Sequence, residues 1–188
     1  KQFAFSYHER REDGKLVPTA DSGKLESLQS ELTDLGIWTG ETDEQAIIAS
    51  QFSEVVDLIH RWLNENGVPA TKITGAVSTS KRRTIREDFQ GEGGPRVIVM
   101  TTTAGGVSIT LDRASNVFVI DETWDPDDQE QLEDRAHRAS RIHQVTVKYI
   151  RTKGTIDETI ADVTGTKFAR NVRVLDARRL RKKIQARR

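Results

Sequence analysis

The sequence has no cysteine in 188 residues, which excludes a disulfide framework and any thiolate metal site and fits a reducing compartment. It has no excess of charge: 29 Lys and Arg balance 29 Asp and Glu, so only the local distribution can nominate a polyanionic partner. No apolar run approaches the length of a membrane span, and the first residues, KQFAFSYHERRED, lack the apolar stretch of a signal peptide. A soluble intracellular protein, in cytoplasm or nucleus and without a membrane partner, is expected. The chain opens on Lys1 in place of methionine, and a fragment of something longer is expected.

Complete catalytic signatures are also missing. Gly23-Lys24 lies outside any G-x-x-x-x-G-K-[ST] frame, and Ser22 before it reads as a helix cap. VFVIDE, residues 117 to 122, has the form of a Walker B strand, but with no phosphate-binding lysine loop upstream, Asp121 and Glu122 have no nucleotide to serve within this chain. GVSIT, 106 to 110, lacks the second glycine of a nucleophile elbow. His8, His60, His137 and His143 fall at no ligand spacing and read as surface or packing residues, so no metal site is expected.

What is present is an alternation. Residues 1 to 21 are polar and aperiodic, broken by Gly14 and Pro18, and read as an extension or linker. From Ser22, Leu25, Leu28, Leu32 and Leu35 recur at helical spacing up to Gly36. QAIIAS (45–50) then reads as a strand and EVVDLIHRWLNENG as a helix ending at Gly67. The same order repeats with ATKIT (70–74) and STSKRRTIREDF, RVIVM (96–100) and a glycine turn, NVFVID (116–121) and a helix, and VTVKYI (145–150) and TIDETIADV. Strands that alternate with helices, several of them continuously apolar, predict an α/β fold with a mostly parallel central sheet covered by helices on both faces.

Ligands of such sheets sit beyond the carboxyl ends of the strands. There the sequence places Ser50-Gln51, then Gly75 with Ser78, Ser80, Lys81, Arg82 and Arg83, then Thr101-Thr102-Thr103-Ala104-Gly105-Gly106. Hydroxyls, amides at helix starts and nearby cations suit phosphate oxygens; each loop alone reads first as turn and cap chemistry, and it is their gathering on one sheet edge that points to phosphate. In QLEDRAHRASR, wound as a helix, Gln131, Arg135 and Arg138 fall within an arc of about 60°, and Leu132, Ala136 and Ala139 gather roughly 100° away. Two guanidiniums on one rigid helix suit a transferring phosphoryl group, although spacing alone favours an Asp134–Arg138 surface ion pair and only the rest of the chain reverses that order. From Lys167 the tail carries Arg170, Arg173, Arg178, Arg179, Arg181, Lys182, Lys183, Arg187 and Arg188 against one acid, Asp176. Such a run is either solvated or a salt-sensitive contact to nucleic acid.

Together, AIIASQFSEVVDLI, ITGAVSTSKRRTIREDF, VMTTTAGGVSITL, DETWDP and QLEDRAHR resemble, in order and spacing, the second RecA-like lobe of Swi/Snf-type translocases within the superfamily two helicases. The resemblance covers residues 22 to 162, leaving 1–21 as extension and 163–188 as a basic tail or brace helix. It implies a RecA-like three-layer sandwich. It also implies ATP with Mg²⁺ held mainly by an N-terminal RecA-like lobe of the same protein, with Arg135 and Arg138 as arginine fingers assisted by Gln131. Gly106 and Ser108 would lie near the nucleotide. Double-stranded DNA would meet Ser50, Gln51, Gly75, Arg82, Thr101, Thr102 and Trp124, and the protein would be a monomer. The sequence departs from the family pattern where Thr103 stands for an arginine, Ser108 for a glycine, Thr110 for an asparagine, Asp125 for the asparagine of W-N-P, and Arg141 for a glutamine. The expected function is the C-terminal half of an ATP-driven DNA translocase or helicase, inactive alone. The alternative is a stand-alone RecA-like module that grips nucleic acid without hydrolysis; a small-molecule enzyme lacks any acid, base or nucleophile constellation.

Overall fold

A computed structural model describes residues 7–10, 16–18, 22–102, 114–121, 145–155 and 157–163. Five strands form one all-parallel sheet: β3 (Gln45–Ser50), β4 (Ala70–Ile73), β5 (Val97–Thr101), β6 (Ala114–Val119) and β7 (Thr146–Tyr149), in the spatial order β4-β5-β3-β6-β7. Every residue of β3 is buried, as a central strand with two hydrogen-bonded neighbours and both faces covered must be.

The alternation of side chains along each strand divides the core in two. Ala46 and Ile48 of β3, Val97 and Val99 of β5, and Phe118 of β6 face α1 (Gly23–Asp34) and α2 (Ser53–Glu65). These helices answer with Leu25, Leu28 and Leu32, and with Val55, Val56, Leu58, Ile59 and Leu63. On the other face Ile47, Ala49, Ile98, Met100, Val117 and Val119 meet Phe89 and Ile85 of α3 (Thr79–Gln90). The helical and strand periods read from the sequence therefore correspond to opposite sides of real layers.

Both α1 and α2 stop in the same way. Gly36 and Gly67 take φ of +72° and +80°, which lets Ile37 and Val68 donate back to Leu32 O and Leu63 O, each at 2.9 Å. The residue that follows each glycine is buried, so the stop also turns the chain into the core. A further helix, α4, occupies 157–163.

Within the stretch read as aperiodic, β1 (Tyr7–Arg10) pairs antiparallel with β2 (Leu16–Pro18), in the register Tyr7↔Pro18, Glu9↔Val17, Arg10↔Leu16, with an irregularity between Tyr7 and Glu9. These strands are defined by backbone pairing, and segments this short carry too few residues for an apolar alternation to declare them.

Candidate functional site

The carboxyl ends of the strands lie along one edge, and backbone hydrogen bonds continue beyond the strands to draw their exit loops together. Ser50 stands in register with Thr101, and Thr102 N–H donates to Ser50 O at 2.9 Å. Ile120 N–H donates to Ala49 O and Ile150 N–H to Val119 O, each at 2.9 Å. On the far side Ile73 stands in register with Met100, so Gly75 emerges two residues further along the same edge. Gly75 is exposed, and Gln51 and Thr102 are half-buried.

The expected nucleic-acid residues divide by what their side chains do. Arg82 turns its guanidinium onto its own loop, with Nε donating to Val77 O at 2.8 Å and an Nη donating to Thr74 O at 3.1 Å and Gly75 O at 3.2 Å. It thereby fixes the path of residues 74–77 ahead of α3, whose first turn is capped by Ser78 accepting from Lys81 N–H at 3.4 Å. Ser50 is fully buried; its hydroxyl donates to Asp121 and accepts from Phe52 N–H at 3.1 Å. Thr101 is also buried. Among the described residues expected to meet DNA, Gln51, Gly75 and Thr102 are thus the ones with exposed surface at this edge, on loops shaped by Ser50 and Arg82. Phe52, at the start of α2 and 44% exposed, is the one large exposed hydrophobic residue among those described, and it adjoins Gln51.

The two fragments set aside as incomplete nucleotide motifs meet each other. Ser22 caps α1, its side chain accepting from Lys24 N–H at 3.3 Å. Lys24 follows, only 2% exposed, in line with Leu28 and Leu32 on the buried stripe. Its ammonium donates to Ile120 O at 2.6 Å, and lies 2.8 Å from Asp157 Oδ2 and 3.8 Å from Asp121 Oδ1. Asp157, at the start of α4, also accepts from Thr152 N–H at 2.9 Å. Burial pushes the Asp121 carboxyl above the usual carboxylate range, and Asp157 adds to the rise; the Ser50 hydroxyl and the Lys24 ammonium oppose it. Asp121 therefore has its charge answered from within the chain. Neither Lys24 nor Asp157 was singled out as a site residue from the sequence; the available signal was a lysine at a position whose helical neighbours i+4 and i+8 are both leucine.

Away from this edge, burial and the nearby Lys72 hold His60 below its usual value, in keeping with a packing residue. Among the described residues no group of three His, Asp or Glu gathers to hold a metal, and no helix is long and apolar enough to cross a membrane. The expected arginine fingers Arg135 and Arg138, with Gln131, Gly106, Ser108 and Trp124, lie outside the described residues, as do the departures at Thr103, Thr110, Asp125 and Arg141.

A parallel five-stranded sheet covered by helices on both faces, with polar loops gathered at the carboxyl edge, is a RecA-like lobe. The model of the helicase conserved C-terminal domain matches residues 23–140, and the chain belongs to that family, among the Swi/Snf-type superfamily two ATPases. It is 35% identical over 147 residues to the human chromatin-remodeling ATPase INO80. It is 31% identical over 147 residues to the Arabidopsis thaliana DNA repair protein RAD5A. In each case 78% of this chain is covered, against 9% and 14% of the relative, so the chain spans about a tenth of the length of such proteins. The solved C-terminal part of the Fun30 ATPase domain superposes with a TM-score of 0.70 at 28% identity, covering 77% of this chain and 45% of that one.

Proposed function

We propose that this chain is the C-terminal motor lobe of an ATP-dependent double-stranded DNA translocase or helicase. In this reading the lobe grips DNA phosphates with the loops at its carboxyl edge and lends arginine fingers to ATP bound on an N-terminal lobe. The observation that carries the reading is the junction between β3 and β5. The Thr102 N–H to Ser50 O bond joins two loops at this edge, on which half-buried Gln51 and Thr102 bring an amide side chain and a hydroxyl. These groups recognise phosphate oxygens without reading bases, as a tracking motor requires. Gly75, on the loop braced by Arg82, extends the surface across β4.

The buried pairing of Lys24 with Asp121 and Asp157 supports the division of labour between lobes. A lysine engaged with its own core cannot cradle phosphates, and an aspartate paired with that lysine and with Ser50 is poorly placed to hold Mg²⁺. The described residues therefore do not make a nucleotide site by themselves, and ATP with Mg²⁺ belongs mainly to the partner lobe. Arg135 and Arg138, with Gln131 assisting, complete that site from this side, while Gly106 and Ser108 lie near the nucleotide and Trp124 meets the DNA. Membership in a family of Swi/Snf-type ATPases supports the same assignment.

Substitution of Arg138 by alanine in the full-length protein tests the reading. DNA-stimulated ATP hydrolysis should fall by about 10³-fold or more, the loss expected of an arginine finger; an unchanged rate would remove the finger and with it the motor.

A further inference from the structure

The Lys24 cluster is an expensive way to fill the top of α1. The helix surrounds that position with Leu25, Leu28 and Leu32, and an apolar residue there would avoid desolvating one ammonium and two carboxylates. Buried ion clusters of this kind are often no more stabilising than apolar residues of similar volume. They do constrain direction: Lys24 meets Asp157 and Ile120 O at hydrogen-bond distance, and the Asp121 carboxylate beside them, 3.8 Å from the ammonium, is held by charge and by Ser50.

The directions constrained here are those of four chain segments. Lys24 binds the carbonyl just beyond β6, Ile120 O, and reaches the start of α4 through Asp157. Asp121, the other carboxylate beside it, accepts from Ser50, and Ser50 accepts from Phe52 N–H, closing the turn that contains Gln51. A continuous set of polar contacts thus runs from Phe52 through Ser50, Asp121 and Lys24 to Asp157 and Thr152. One end is the loop that carries half-buried Gln51. Midway lies Asp121, from which the chain continues in sequence toward Gln131, Arg135 and Arg138.

We propose that Lys24 is a positioning residue of the motor: through Asp121 and Ser50 it holds the Gln51 loop and the exit of β6 in one fixed arrangement. Phosphates engaged at the loop and arginines presented to the nucleotide then act from a common frame. The inference rests on the motor reading above. It adds to that reading a residue that touches neither DNA nor ATP, yet on which their cooperation depends.

The test is a double-mutant cycle in the full-length protein, using Lys24→Met and Ser50→Ala and following ATP hydrolysis with saturating duplex DNA. Each single variant should lower the stimulated kcat by about tenfold, and the double variant should lose no more than the slower single, because both act on one chain of contacts. The KM for ATP should stay within about twofold, since ATP is held on the other lobe. Additive losses, or an unchanged rate in either folded single variant, would overturn the inference. If Lys24→Met does not fold, the cycle is run with Lys24→Met/Asp157→Asn, which removes one of the stranded carboxylates, and the same criteria apply. Arg138→Ala, measured alongside, separates the two levels. If it abolishes the stimulated rate while the Lys24 and Ser50 variants do not change it, the motor stands and the positioning role falls. If Arg138→Ala changes nothing, the motor reading itself has failed.

Discussion

Lys24 and Asp121 lie 3.8 Å apart in the interior, 97 residues apart in sequence, with side chains 1% and 13% exposed. Either residue, taken from the sequence, could belong to a fragment of a nucleotide site, the one following a glycine and the other ending an apolar strand. Facing each other, with Asp157 completing the cluster, they belong to the framework that shapes the carboxyl edge.

Removing the cation alone should be severe. Lys24→Met leaves two carboxylates near each other in a dry site, and breaking a buried pair in this way costs about 3–5 kcal/mol. Urea unfolding of the purified chain measures it. A loss below about 1 kcal/mol, the value typical of an exposed pair, would show that water reaches the ammonium.

Removing one anion should have the opposite character, and its sign depends on pH. The folded state raises the Asp121 pKa chiefly by burial, so in the interval between the ordinary and the raised value the fold binds more protons than the unfolded chain. Stability contributed by this group is therefore present at acid pH and lost as pH rises through the raised value. The groups facing it are the Ser50 hydroxyl, the Lys24 ammonium and the Asp157 carboxylate. Asp121→Asn removes this dependence while Lys24 keeps Asp157. Its stability relative to the parent should therefore increase between pH 4 and pH 7, by about 1.4 kcal/mol for each pKa unit of the net rise. A relative stability that falls over the same interval would mean that Lys24 and Ser50 outweigh burial.

The purified 188-residue chain should not hydrolyse ATP, with or without duplex DNA. Lys24 is committed to the interior, and among the described residues no other lysine follows a glycine loop at a helix start. Colorimetric release of inorganic phosphate checks this, and turnover above the uncatalysed background would reveal a complete nucleotide site within the chain.

Arg82→Lys should behave as a disruptive change. The guanidinium spans three carbonyls, Val77, Thr74 and Gly75, and an ammonium on a flexible stem cannot hold all three in one plane. A loss of about 1 kcal/mol in stability is expected, together with weaker duplex binding by the full-length protein. Fluorescence anisotropy with labelled DNA reads the second effect; unaltered affinity would detach the Gly75 loop from the DNA surface.

Gly67→Ala isolates a backbone effect. A Cβ there meets nothing within 4 Å, yet φ is +80°. The substitution should cost about 1–2 kcal/mol from the left-handed conformation alone. A smaller cost would show that the end of α2 can relax into another turn.

Local patterns decided the layers of this protein. The leucines of α1, the apolar run of β3 and the amphipathic spacing of α2 each state their own period, so the helices, the parallel sheet and its carboxyl edge follow without knowledge of partners distant in sequence. The glycines at 36 and 67 mark true helix ends for the same reason, since the conformation they permit is a property of one residue. The motif loops could also be placed on their strand ends, because each loop follows its strand directly.

What only the tertiary structure decided is which polar groups face inward. Ser50 and Gln51 are neighbours with similar loop chemistry, but Ser50 turns to Asp121, a residue 71 positions away, and Gln51 remains at the edge. Arg82 resembles Lys81 and Arg83 in sequence, but it alone closes on carbonyls of its own turn, while Arg83 pairs with Glu87 at 2.8 Å and Lys81 is exposed. Lys24 follows a glycine without completing a phosphate loop, and it is Asp157 and Ile120 O, each within 3 Å, that draw it inward. A charged side chain enters a core only where its partners are already assembled, and those partners come from separate strands and helices, so its burial is a property of the fold.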